Sequence, residues 1–481
     1  MTKFIYQKHC DEIIKAISDG TLQHGDKLDS VRTLAQKRGI GASTATHVYH
    51  QLELQGWVKA IAKKGYFVER PKDNHAQSYG STFVNSRDLN QLPLTTAVQY
   101  SLSMPDVLPL SCTAPSTVID SEVLLNKMHR KALSVRPYRI QNHDPAQTAK
   151  PLRQQIAKYL LSAGQLIHHD DILITNGRNE GLAIAFLACR LLQNRVAIEV
   201  PCSYYFQSML QQYNISTVAV PMQADFGREL NLLDQAWQQE PFAAYLFNPS
   251  FNDPTGRVLT DDQKTSLIDW AIRRSVVLIE YDRGDLYFGG QRPASTASLL
   301  PKDSRCKIIS INDFYDTISD RFGLGYLICK NTYQACEISQ QAAAELPLVS
   351  SQAMLLELFQ SGHYRKLVNK IRLRLAQQCQ QMKSILNAIL KSELAQGQLY
   401  ISQPAGGPCL WIGLPEGKSS QQLWQLLIKK QVAIAPGCLF INNQDCDNYL
   451  RVTFGLPWDD KMEDGVWVLA RTLKSFVSPV N

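Results

Sequence analysis

Five short apolar runs constrain this chain more than anything else in its sequence: Ile172–Thr175, Val196–Val200, Ala243–Phe247, Val276–Glu280 and Lys307–Ile311. Each has the length of a strand rather than a helix and is apolar at successive positions, as expected for a strand covered on both faces. Longer amphipathic stretches separate them, Asp261–Arg274 being one, and Leu124–Ala132 and Leu152–Leu161 have helical spacing. Strands alternating with helices predict a parallel sheet between two helical layers, an α/β domain. After Ser350 the pattern changes. A long helix is expected over roughly Gln352–Lys391, interrupted near Gly362, followed by strands at Leu410–Ile412 and Leu450–Phe454. This predicts a smaller α+β subdomain.

The first 70 residues differ in character. They carry 11 Lys and Arg against 7 Asp and Glu, while the remaining 411 carry 39 against 36, so over half of the net charge of +7 sits in this head. A small basic unit on a nearly neutral body suits a polyanionic partner, although a solvated basic face has the same composition. Residues 4–18 read as a helix marked by Ile5, Ile13, Ile14 and Ile17. Ser30 can cap a second helix with Val31, Leu34 and Ala35 on one face. Gly39-Ile40-Gly41 turns into a third helix from about Ser43, which Gly56 stops. Trp57–Ala62, Lys63-Lys64-Gly65 and Tyr66–Val68 read as a hairpin with a basic tip. This is a winged helix-turn-helix pattern, mainly α with a β wing. Ser43, Thr44 and His47 would face base edges or phosphates, and Lys63 and Lys64, beside Gly65, would meet phosphates. A helical dimerisation module shares the periodicity.

Residues 71–100 are polar, with Gly, Ser, Asn and Pro and no sustained periodicity, and read as a linker. The expected organisation is thus a head over 1–70, the linker, a large α/β domain over 101–350 and a small subdomain over 351–481. The 11 cysteines include no C-x-x-C pair, so neither a disulfide framework nor a zinc site is expected. Met1-Thr2-Lys3-Phe4-Ile5 lacks a signal peptide's apolar core, and no run of about 18 apolar residues occurs, so a cytoplasmic protein without a membrane span is expected.

Three loops fall where an α/β sheet binds ligands, past strand C-termini. Thr175-Asn176-Gly177-Arg178-Asn179-Glu180 opens a helix whose N–H groups suit a phosphate. Pro201-Cys202-Ser203-Tyr204-Tyr205 offers an aromatic face, and Asn248–Gly256 is rich in turn residues.

Two resemblances sharpen these expectations. Gly25-Asp26-Lys27-Leu28-Asp29-Ser30-Val31-Arg32-Thr33-Leu34-Ala35 resembles the GntR-family motif G-D-x-L-P-S-x-R-x-L-A, which implies DNA contacts from Arg32 and from the start of the third helix. The order of the body's loops, with Ile279–Gly290 resembling I-E-D-D-x-Y-G-D-L-x-F-G-G, is similar to a fold-type I aminotransferase. Gly406–Trp411, Ile434–Gly437 and Leu450–Gly455 match further landmarks. Together they resemble MocR-type transcriptional regulators across nearly the whole chain. The resemblance implies a regulator that binds a double-stranded DNA operator, forms a homodimer through its body, and senses a vitamin B6 or amino-acid ligand, with pyridoxal 5'-phosphate as the family cofactor.

Departures from the family pattern change the expected chemistry. The family's lysine segment, S-F-S-K-T-L-x-P-G-x-R-L-G, corresponds here to Asp313–Gly325, with Asp316 in the lysine slot. A carboxylate cannot form the imine that covalent pyridoxal chemistry requires. Gly323 replaces a phosphate-binding arginine, with Arg321 two residues away as a substitute. Asp253 stands at an asparagine contact to the pyridine hydroxyl, and Arg283 aligns with the tyrosine sharing it. Glu280, Tyr281 and Asp282 remain alternatives for the position of the family's pyridine-nitrogen aspartate. Arg178 and Arg283 restore positive charge for non-covalent binding of an anion. The resemblance makes Arg451 a carboxylate grip, against a structural pairing with Asp447.

The expected protein is therefore a DNA-binding regulator, not an enzyme, whose body holds a small carboxylate or B6 effector without covalent pyridoxal phosphate. The alternatives are an active aminotransferase with an appended DNA-binding domain, and a ligand-independent regulator with a scaffold body.

Overall fold

The computed structural model describes residues 5–19, 21–23, 25–54, 57–61, 64–68, 93–135, 145–343, 346–441 and 447–477. The chain divides into two compact units, residues 1–87 and 88–481.

In the first unit, helices Ile5–Ser18, Val31–Arg38 and Ala42–Leu54 precede an antiparallel hairpin of Val58–Ile61 and Gly65–Val68. Ser30 caps the second helix by accepting from the Thr33 N–H, and Gly39 ends it at φ 63°. Ile13, Ile17, Leu34, Ala45, Val48, Leu52, Val58 and Val68 form the core. The Tyr49 hydroxyl donates to the Asp29 carbonyl at 2.6 Å, while its ring stacks on Tyr66 of the hairpin at 4.4 Å, tying wing to helices.

The body opens with helix Leu94–Ser101, inside the stretch expected to be linker. Ala97, Val98 and Ser101 are buried at i, i+1 and i+4, a single helical turn whose apolar face is too short to stand out among polar neighbours. The rest of the expected linker lies outside the described residues, except Pro93.

The seven-stranded sheet runs, in spatial order, Ile172–Thr175, Gly325–Lys330, Ile308–Asp313, Val277–Asp282, Ala244–Ser250, Val196–Val200 and Thr217–Pro221. Six strands are parallel. Gly325–Lys330 is antiparallel to both neighbours, where an all-parallel sheet was expected. Alternate residues face opposite layers: Ile172, Tyr245 and Leu278 pack with helices Pro145–Ser162 and Asp261–Arg274, whereas Leu173, Leu246 and Ile279 pack with helices Gly177–Ala188 and Tyr204–Gln212.

The long C-terminal helix is two helices, Val349–Gln360 and His363–Ile389, with Gly362 at φ 69° between them. The first spans the expected 350/351 boundary, and residues 88–481 form one unit. A four-stranded antiparallel sheet follows, ordered Tyr400–Ile401, Cys409–Gly413, Tyr449–Thr453, Ala435–Pro436. No described helix is long and apolar enough to cross a membrane.

Candidate functional site

The C-terminal ends of the parallel strands deliver most of the site residues to one edge of the sheet. After Thr175 the chain enters helix Gly177–Ala188 with Gly177 at φ +78°. A Cβ on Gly325 would lie 2.6 Å from the Asn312 carbonyl oxygen and 3.1 Å from the Gly177 Cα. Glycine at 325 therefore lets the antiparallel strand approach the helix start.

Arg178, the first cation of that helix, stands over the Tyr315 and Tyr205 rings, its guanidinium carbon 4.4 and 4.9 Å from their centroids. Its guanidinium is 3.8 Å from the Asp313 carboxylate and 3.5 Å from the Tyr281 hydroxyl, which donates to Asp313 at 3.0 Å. Burial, with Asp316 adding to it, pushes the Asp313 carboxyl up against the opposing pull of Arg178. Asn179 accepts a hydrogen bond from Tyr205.

Asp316 sits one turn past strand Ile308–Asp313, held there by Phe314, whose ring packs against Phe322, Tyr326, Phe359 and Tyr364. The Arg283 Nε donates to Asp316 at 2.8 Å, with side chains only 4% and 6% exposed. The other Asp316 oxygen, Oδ1, is buried without a partner among the described residues. Beside it lies a cavity of about 20 Å³, room for about one water, lined by Arg283, Asp285, Arg292, Asn312, Thr317 and Tyr364 among others.

Strand alternation separates the three alternatives for the pyridine-nitrogen aspartate position. Tyr281 faces Arg178, while Glu280 and Asp282 point to the opposite side. Glu280 accepts from the Thr296 and Ala297 N–H groups, and burial followed by the Asp282 charge pushes its carboxyl up. Asp282 accepts from Arg292 at 2.7 Å and the Gly284 N–H at 2.8 Å, and Arg292 also bonds Asp285 at 2.6 Å. Asp282 is thus a structural counter-ion to Arg292.

Arg451 projects from the small sheet and is 2% exposed. Its Nη1 donates to both Asp253 oxygens, at 2.7 and 3.0 Å, and Nη2 to the Ser111 carbonyl. The structural partner is therefore Asp253, not Asp447, which instead accepts from Ser420 and the Gln421 N–H at the start of helix Ser420–Ile428. The Tyr204 and Phe440 rings flank the guanidinium at 5.5 and 5.1 Å.

Three expectations need correction. Arg321 is exposed, and no contact of its side chain with this cluster is observed, because its turn carries it outward. Arg283 is not available to a free anion, since Asp316 engages it. Arg178, Arg283 and Arg451 face Asp313, Asp316 and Asp253, so positive charge is matched rather than restored. Asp313, Tyr315, Arg292 and Ser111 were not singled out from sequence as site members. Asp313 ends an apolar strand, which is a readable signal, whereas the Ser111 carbonyl has none.

In the first unit, Arg32, Ser43, His47, Lys64 and Gly65 are exposed and Thr44 is half-buried. Ser43 and His47 lie one turn apart on the third helix. Lys63 lies outside the described residues. Asp29, in the motif's proline slot, pairs with Lys37 at 2.9 Å.

The model of aminotransferase class I and II matches residues 139–464, more than half of the chain, and that of the bacterial regulatory proteins, gntR family, matches residues 5–68. The uncharacterized HTH-type transcriptional regulator YjiR of Escherichia coli is 25% identical over 466 residues, covering 96% of this chain and 97% of the relative. YdcR of the same organism, described in the same words, is 25% identical over 481 residues, covering 98% and 99%. Among solved structures, the α-aminoadipate aminotransferase LysN of Thermus thermophilus, complexed with N-(5'-phosphopyridoxyl)-L-leucine, aligns with TM-score 0.67 at 20% identity over 84% of this chain and 100% of that one. A fold-type I aminotransferase architecture preceded by a gntR-family domain is thus established, and the chain belongs to the aminotransferase class I and II family.

Proposed function

We propose that the protein is a cytoplasmic transcriptional regulator that binds a double-stranded DNA operator through its gntR-family domain. Its aminotransferase-like body dimerises and senses a small anionic ligand without covalent pyridoxal phosphate. The regulatory role is supported by the two Escherichia coli relatives, which share both domains along nearly their whole length. DNA binding is supported by the exposed Arg32, Ser43, His47 and Lys64, with Thr44 beside them.

The buried Arg283–Asp316 pair carries the reading of the body. The family's cofactor needs a lysine nitrogen and a positively charged cup for its phosphate. Here the candidate lysine slot holds a carboxylate engaged by an arginine. A second carboxylate, Asp313, stands beside Arg178 and would repel a phosphate dianion. Other lysines are engaged or positioned elsewhere: Lys307 is exposed, Lys330 pairs with Asp171 at 2.6 Å, and Lys264 donates to the Ala294 carbonyl at 2.6 Å. The residues present therefore do not suit covalently held pyridoxal phosphate.

Titration of the protein with pyridoxal phosphate, followed by visible absorbance and borohydride trapping, tests this. The expected outcome is no trapped lysine. A trapped lysine with turnover in a transamination assay would restore the reading as an aminotransferase with an appended DNA-binding domain, which membership of the aminotransferase class I and II family favours.

A further inference from the structure

We infer that Asp253 is a tethered carboxylate filling an anion pocket of the body, so that a free small-molecule carboxylate must displace Asp253 to reach Arg451. The inference rests on the reading of the body as a ligand sensor without a covalent cofactor.

Arg451 is built as an anion site. Its guanidinium is almost wholly buried, flanked by the Tyr204 and Phe440 rings, and it comes from a different part of the chain than the carboxylate that meets it. A buried guanidinium cannot shed its proton and must find an anion. Asp253 supplies it from the turn after strand Ala244–Ser250, where its own N–H donates to Asn248 Oδ1 at 3.0 Å. Burial opposes the charge on Asp253, but Arg451, then Arg283, outweigh it and hold the carboxyl below its usual range.

The fit is incomplete. Both Asp253 oxygens lie on Nη1 and Nη2 is taken by the Ser111 carbonyl, while Nε is buried without a partner among the described residues. A guanidinium binds carboxylate best through two parallel N–H groups. The tether fixes the Asp253 carboxylate on one nitrogen, whereas an untethered carboxylate is free to turn until its two oxygens meet two nitrogens of the guanidinium. The pair also spans the large sheet's turn, the small sheet and the Ser111 segment, so displacement of Asp253 would release a contact between these parts. That gives a carboxylate effector a differential interaction with two states of the body, which a ligand-driven shift requires.

Chemical rescue tests the inference. Thermal midpoints of the wild type, Asp253→Ala and Asp253→Ala/Arg451→Gln are measured during titration with sodium formate or acetate, against sodium chloride at equal ionic strength. Asp253→Ala should melt about 5 °C lower and regain most of the loss saturably with formate or acetate but not chloride. The double variant should not respond, and the wild type should need at least about tenfold more carboxylate for any shift. An Asp253→Ala midpoint equal to wild type, an absent rescue, or an equal rescue in the double variant would overturn the inference. Should Asp253→Ala fail to fold, Asp253→Ser leaves room for formate and gives the same readout. Absent rescue with no borohydride-trapped lysine defeats this inference alone, whereas a trapped lysine defeats the reading beneath it.

Discussion

The two units of this protein use charge in opposite ways. In the first, cations stand on the surface: Arg32 and Lys64 are exposed, and the Lys37–Asp29 pair is 62% and 39% exposed. In the body, arginines are driven into the interior and met there by carboxylates, as in Arg283–Asp316 and Arg451–Asp253. Exposed charge interacts weakly within the fold and remains available to a polyanion. Buried charge is strongly committed, because removing one member leaves the other desolvated and unpaired. Charge in the head thus serves recognition, while charge in the body holds a particular arrangement of loops.

The largest effect is expected where that commitment is greatest. Asp316→Ala should destabilise the body by about 3–5 kcal/mol in chemical denaturation, whereas exchanging both partners, Arg283→Met with Asp316→Leu, should cost about 1 kcal/mol or less. Equal costs for the two variants would mean that packing, not charge, holds this turn.

Next in size is a pH effect. Glu199 is buried and accepts from the Asn248 N–H and the Asn252 amide while facing Arg257. Burial, opposed by Arg257, pushes its carboxyl up to about 7. A raised carboxyl pKa favours the folded state at low pH. This contribution is full below the unfolded value near 4.5 and lost as pH rises through about 7. The body should lose on the order of 3 kcal/mol between those limits, and Glu199→Gln should flatten that part of the stability curve. An unchanged slope in the variant would assign the pH dependence to another group.

Effects in the head should be smaller in stability and larger in binding. Lys64→Ala is expected to weaken operator binding evenly across sequences and lower the salt slope by about 1, and Arg32→Ala to cost about 1–2 kcal/mol of affinity. Fluorescence anisotropy at several salt concentrations reads both, and unchanged binding in both variants would remove the proposed DNA face. Smallest of all, Asp29→Ala should change stability by about 0–1 kcal/mol. By freeing Lys37 it should leave operator affinity equal or slightly higher; a clear loss of affinity would place Asp29 itself in the interface.

The same contrast separates what could be read in the sequence from what could not. Strands Ile172–Thr175 and Val196–Val200 and helix Asp261–Arg274 coincide with their sequence-based limits, since periodicity and the Thr260–Gln263 capping box are local signals. Strand Thr217–Pro221, at the sheet edge, was missed because it is mostly exposed and lacks a continuous apolar run. Asp253, Asp316, Arg283 and Arg451 each stood out individually. Their pairing did not, because Asp253 and Arg451 are 198 residues apart.

By itself, the sequence determined the limits of elements with strong local signals, such as Ile172–Thr175 and Asp261–Arg274, and which residue types stand at the ends of the strands. Capping, glycine geometry and apolar spacing act within a few residues of one another. Only the tertiary structure decided that Gly325–Lys330 enters the sheet antiparallel, that Arg321 points away from the cluster, and that each of three site arginines faces an aspartate. Those outcomes depend on which distant segments share a desolvated edge, where an unpaired charge costs several kcal/mol and a partner is selected from whatever the fold brings near.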